Sequence, residues 1–230
     1  MTTDASLIRL MTWLSPSFPV GAFAYSHGLE HAVETGEVHD ATALTYWVQG
    51  LLAFGSGRVD AALFRAAYEA MQNCDEERLQ WVVERGEAQR GTSELALESV
   101  AQGRAFLETI LKVWPQERLT TWHASLKKNG YTPAYPVALG VACALADIPL
   151  RFALMAYLHA FCANLVSAVV RLVPLGQTDG QKVLAALEPR IVEAGAAALK
   201  RDPDNFGSAS VMIDWHSIQH ETQYTRLFRS

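Results

Sequence analysis

Apolar side chains recur every three to four positions along almost the whole chain, while alternating β-branched runs, the mark of strands, are missing. The spacing predicts helices over residues 5–14, 27–34, 41–55, 59–73, 76–89, 92–114, 117–129, 136–146, 150–173, 180–199 and 206–220. Within 92–114, Leu95, Leu97, Val100, Ala101, Phe106, Ile110, Leu111 and Trp114 trace one face. Polar punctuation agrees with these boundaries. Asp40 and Thr92 stand where N-caps accept backbone N–H bonds, and Pro115, Asn129-Gly130, Pro149 and Pro174 interrupt elements. The pattern predicts an all-α, single-domain helical bundle of about ten helices over residues 1–230, with a central buried apolar helix.

That central helix is read from 152–170, which carries no charge if His159 is neutral. Its length would suffice to cross a bilayer. However, His159, Asn164 and Ser167 interrupt it, and Arg151 and Arg171 flank it equally, so no charge asymmetry orients it. The preceding segment is broken by Pro133 and Pro136. It also offers small side chains at Ala138, Gly140, Ala142, Ala144 and Ala146, which would let two helices approach closely. The expectation is a pair of core helices forming a spine, not a membrane span.

Charge changes the picture by exclusion. Twenty-four acidic residues against 19 Lys and Arg leave a net charge of -5. No basic face for phosphates and no polybasic membrane patch are expected, hence no nucleic-acid partner and no membrane. The opening Met1-Thr-Thr-Asp-Ala-Ser lacks the pattern of a signal peptide, so the expectation is a cytoplasmic protein. Cys74, Cys143 and Cys162 fit neither a disulfide framework nor a zinc site, and are expected as three buried thiols. Motifs for nucleotide, zinc-protease or serine-hydrolase chemistry are absent. His27/His31 and His216/His220 have helical i,i+4 spacing, yet each pair offers only two ligands. No catalytic residue, no cofactor and no metal site are expected.

Three polar clusters resist a bland reading. In Leu14-Ser-Pro-Ser-Phe-Pro-Val-Gly-Ala-Phe-Ala-Tyr-Ser-His-Gly-Leu-Glu30, Pro16 and Pro19 stiffen a turn that Gly21 frees, and Phe18, Phe23 and Tyr25 project from it. In Arg171-Leu-Val-Pro-Leu-Gly-Gln-Thr-Asp-Gly-Gln181, an elbow follows the apolar run. Arg171 there favours the negative end of its helix, and Asp179 can cap the next helix near Gly180. No lysine follows these glycines and no strand precedes them, so a phosphate loop is excluded. The last cluster, Ile218-Gln-His-Glu-Thr-Gln-Tyr-Thr-Arg-Leu-Phe-Arg-Ser230, sets Leu227 and Phe228 between Arg226 and Arg229, a composition enriched at interface hot spots.

Side by side, these clusters resemble the UreF family of urease accessory proteins. The resemblance rests on Leu14-Ser-x-Ser-x-Pro-Val-Gly-x-Phe-x-Tyr-Ser-x-Gly-Leu-Glu30, on Arg171-Leu-x-Pro-Leu-Gly-Gln-Thr-Asp-Gly-Gln181 and on His220-Glu-Thr-Gln-Tyr-Thr-Arg-Leu-Phe-Arg-Ser230. Glu98-Ser-x-x-Gln-Gly-Arg104 and Tyr135-Pro-Val-x-x-Gly140 add to it, while Ala22 and His27 depart from the family pattern. It covers the chain from about residue 7 onward. It implies a homodimeric, non-enzymatic scaffold that binds a UreD-like (UreH-like) accessory protein and a UreG-like GTPase on apo-urease. The assembly it joins carbamylates the active-site lysine and inserts nickel using GTP. The resemblance further implies a flexible start over 1–6 and a docking tail over 221–230. Partner contacts are expected from His220, Glu221, Tyr224, Arg226, Leu227, Phe228 and Arg229, the tail ordering on its partner. The motif loops supply Pro19, Gly21, Tyr25, Ser26, Glu30, Arg171, Pro174, Gly176, Gln177, Asp179, Gly180 and Gln181. Two alternatives stay open: an arginine finger from Arg226 or Arg229 on the GTPase, and a nickel chaperone using one of the two His pairs.

Overall fold

The computed structural model describes residues 4–230 and, among them, holds eleven α-helices and no strand. They are α1 (Asp4–Trp13), α2 (Leu29–Glu34), α3 (Ala41–Phe54), α4 (Ser56–Gln72), α5 (Glu76–Ala88), α6 (Ser93–Val113), α7 (Glu117–Asn129), α8 (Tyr135–Leu145), α9 (Leu150–Val170), α10 (Gln177–Lys200) and α11 (Val211–His220). A short 3₁₀ turn at Ala22–Ala24 stands between α1 and α2. Every expected helix is present, and at some starts a side chain satisfies a free N–H group. Asp40 accepts from Ala43 N–H at 2.8 Å, and Thr92 Oγ1 accepts from Leu95 N–H at 3.2 Å. The starts of α4 and α10 both fall three residues earlier than their spacing suggested, and that of α11 five later. Helix α10 begins at Gln177, because Asp179 acts from inside the first turn, accepting from Gly176 N–H at 3.4 Å.

The most enclosed element is α8, whose residues from Pro136 to Ala144 are all buried. Its small residues do allow a close approach, but to α4 rather than to α9. A Cβ on Gly140 would stand 2.5 Å from the Phe64 carbonyl oxygen. Helix α9 is long and apolar enough to cross a bilayer, and about half of it is buried inside the bundle. Leu154, Leu158 and Leu165 face the core, while Phe152 is exposed. Helix α10 packs along α9 and α3, and α6 packs on α8.

Two expectations about the periphery change. Of the start expected to be flexible, residues 1–3 lie outside the described residues, whereas Asp4 opens α1 and the buried Ser6 donates to the Ala146 carbonyl at 3.1 Å. Of the three thiols, Cys143 and Cys162 are buried but Cys74 is exposed, in the turn before α5. Burial pushes the Cys162 thiol up to about 12 and Cys143 higher still, so neither forms a thiolate at neutral pH.

Candidate functional site

The three motif clusters, separated by up to about two hundred residues, meet at one place. The entry to α2 makes this meeting geometrically feasible. His27 (φ 55) and Gly28 (φ 76) are consecutive left-handed residues, and together they swing the chain into α2. A Cβ on Gly28 would lie 2.6 Å from Ser217 N, so the missing side chain is what lets α11 lie directly on this turn. Residues Tyr25, Ser26, His27, Gly28, Leu29 and Glu30 are all buried as a result.

Glu30 is the hub. Its carboxylate accepts from the backbone N–H of Leu227 at 2.6 Å and of Phe228 at 2.9 Å, and it faces His220 Nε2 at 3.1 Å. His220 is wholly buried, and its other nitrogen lies 2.6 Å from Glu94, so the ring bridges two acids from α2 and α6. Glu94 also holds Arg226, Nη1 to Oε1 at 2.6 Å. The tail then runs back along the first motif. Arg229 N–H donates to the Ala24 carbonyl at 2.8 Å, and Ser26 donates to the Ser230 carbonyl through both its N–H, at 2.7 Å, and its hydroxyl. The tail thus folds on its own chain, where the expectation had it ordering on its partner.

Helix α6 supplies a buried polar face beneath the tail. Its core side begins with Leu95 but continues with Glu98, Ser99 and Gln102, while Leu97 is exposed. The face expected from apolar spacing is therefore rotated over this stretch. Glu98 accepts from His27 Nε2 at 2.9 Å, from Gln102 at 2.8 Å and from the Ser230 hydroxyl at 2.8 Å. Burial alone would lower the pKa of His27, but the charge and hydrogen bond of Glu98 outweigh it and raise the pKa overall. Glu221 accepts from Ser93 N–H at 2.9 Å and so caps α6 rather than facing outward. Sequence reasoning missed this role for Glu94, Glu98 and Gln102. Two long polar residues at i,i+4 on the inward side of an apolar helix are the signal that reveals it.

The elbow closes the site from the other side. The Arg171 guanidinium lies 4.5 Å above the Phe228 ring and donates to the Phe23 carbonyl at 2.8 Å. Phe228 itself is buried. Gly180 is buried against α9, where an added Cβ would meet Val170 at 3.1 Å. Pro174, Gly176, Gln177 and Gln181 are exposed, and so is Pro19, while Gly21 (φ 74) turns the first motif. On the outer surface stand Phe23, Tyr224 and Leu227, with the exposed Arg226 and Arg229 beside them. Large apolar side chains flanked by arginines suit recognition of another protein.

Small-molecule chemistry has less support. A cavity of about 270 Å³ lies under the first motif, walled by Trp13, Phe18, Tyr135 and Phe161 above Asp60, Arg90 and Glu98. Asp60 and Glu98 are already engaged there, whereas Nε and Nη2 of Arg90 are buried without a hydrogen-bond partner among the described residues. Arg90 pairs with Asp60 at 2.7 Å, and the Tyr157 hydroxyl donates to the same carboxylate at 2.7 Å. Among the described residues, no three metal-ligating side chains converge. Neither i,i+4 histidine pair works as a unit, because His27 is held by Glu98 and His220 by Glu30 and Glu94.

Comparison with known proteins gives the family. Residues 38–188 match the family model for UreF. A urease accessory protein UreF from Rhodopseudomonas palustris (strain BisA53) is 49% identical over 226 residues, covering 98% of this chain and 94% of that protein. The protein of the same name from Granulibacter bethesdensis is 48% identical over 229 residues, covering 100% of this chain and 96% of that protein. That from Magnetococcus marinus is 44% identical, with both chains covered in full.

Proposed function

The chain belongs to the UreF family of urease accessory proteins, and from that premise we propose that it is a scaffold without catalysis of its own. It joins a UreD-like (UreH-like) accessory protein to a UreG-like GTPase on apo-urease while the nickel centre is assembled, and does so as a cytoplasmic homodimer. One observation carries the reading. The first motif, the elbow and the tail converge on one surface whose interior is tied by hydrogen bonds and whose exterior is apolar and basic.

The geometry also divides the labour among the tail residues. Phe228 and His220, expected among the partner contacts, are buried and act as anchors from below. Tyr224 and Leu227 are the apolar groups a partner would cover, with Phe23 beside the elbow. Arg226 is bonded to Glu94, a commitment that favours an anchoring role over an arginine finger. A tail already folded on its own chain needs little ordering on binding, which preserves affinity.

The test is capture of the UreD-like protein by the double variant Tyr224→Ala/Leu227→Ala. Removing two hot-spot side chains should weaken binding about 100-fold or more, with helicity and melting temperature unchanged. Undiminished capture by a folded double variant would sink the proposal.

A further inference from the structure

Two histidines left out of the carboxylate network meet each other. His31 of α2 and His216 of α11 approach through their Nδ1 atoms at 2.9 Å. Among the described residues this is the one side-chain hydrogen bond either ring makes, whereas His27 and His220 are each held by acids. A hydrogen bond between two neutral imidazoles needs a proton on one Nδ1 and a lone pair on the other. A cation replacing that proton would use both lone pairs. Metal–imidazole bonds of roughly 2.0–2.1 Å at about a right angle hold their nitrogens about 3 Å apart, close to the separation seen here.

We infer that His31 and His216 form an open two-imidazole site for a divalent first-row transition ion, clamping α2 to α11. Imidazole pairs suit Cu²⁺, Ni²⁺, Zn²⁺ and Co²⁺ and discriminate against Mg²⁺ and Ca²⁺, which prefer oxygen. The surroundings fit a ligand role. His216 is almost fully buried and Trp47 packs edge-on against it at 5.1 Å, fixing the ring. With only two protein ligands, the remaining positions are open to water or to a group from another protein. The i,i+4 pairs suggested by spacing are thus replaced by a pair 185 residues apart. The inference does not depend on the scaffold reading.

The experiment is a calorimetric titration of the full chain with Cu²⁺, Ni²⁺, Zn²⁺ and Mg²⁺, followed in parallel by tryptophan fluorescence. One Cu²⁺ or Ni²⁺ per chain should bind at micromolar or tighter affinity and quench emission, and Mg²⁺ should do neither. His31→Gln, at the less buried partner, should lower the affinity at least tenfold while the chain stays folded. Trp47→Phe should remove most of the quench and leave the calorimetric binding intact. No binding tighter than millimolar, or equal binding by folded His31→Gln, would overturn the site.

Discussion

Replacing Glu30 by Gln probes how the tail is held. The carboxylate serves two backbone N–H groups and faces one imidazole nitrogen, at 2.6, 2.9 and 3.1 Å. A glutamine keeps one oxygen and turns the other position into a donor. At least one donor, most directly the buried Phe228 N–H, then faces another donor. Bonds to a charged acceptor contribute about 1.5–3 kcal/mol each, and an unsatisfied buried group costs about 1–3 kcal/mol. Allowing for one retained bond, the change weakens tail docking by about 3 kcal/mol, or on the order of 100-fold in the opening equilibrium. Amide hydrogen exchange at Leu227 and Phe228 measures that opening directly. Protection there should fall about 100-fold, while the amides of α8, in the bundle centre, change far less. Protection at Leu227 and Phe228 within about threefold of the parent would refute the reasoning, and would show that Phe228 and Arg171 hold the tail without the carboxylate.

Three further outcomes follow from the same contacts. Phe228→Ala should destabilise the protein by about 3–5 kcal/mol in urea unfolding, because it empties a buried aromatic site and leaves Arg171 without its ring. Gly28→Ala puts a methyl group against the Ser217 backbone at a left-handed position, and should lower the melting temperature by roughly 6 °C or more, with partner capture lost in parallel. The His27 pKa is raised on folding, so its stabilising contribution is full below pH 6.5 and lost as pH rises through the folded value. Stability measured from pH 6 to 9 should therefore decline on this account in the parent, and that part of the slope should vanish in His27→Gln.

The helices were legible because their apolar spacing and caps act locally. Asp40 and Thr92 cap the helices they precede, as their positions implied. The site was legible only in outline, since its chemistry is long-range. Nothing near Glu30 announces that it receives the N–H groups of residues 227 and 228, and nothing near His31 points to His216. In α6 the local rule misled. Glu98 and Gln102 look like surface residues by polarity, yet they turn inward because His27 and Ser230 satisfy Glu98 there and Glu98 in turn accepts from Gln102. The close approach at Gly140 shows the same limit: small residues announce that a backbone passes near, but not which one.

The pairing of Ser26 with Ser230 joins residues 204 positions apart, which makes the docked tail a check on the whole molecule. Its acceptors Glu30 and Glu98 sit on α2 and α6 and its anchor His220 on α11, so it docks only when all three helices stand in place. A copy in which one of them has come loose would present carboxylates where the folded protein presents arginines and aromatics. A partner that reads this surface is thereby reading the fold behind it.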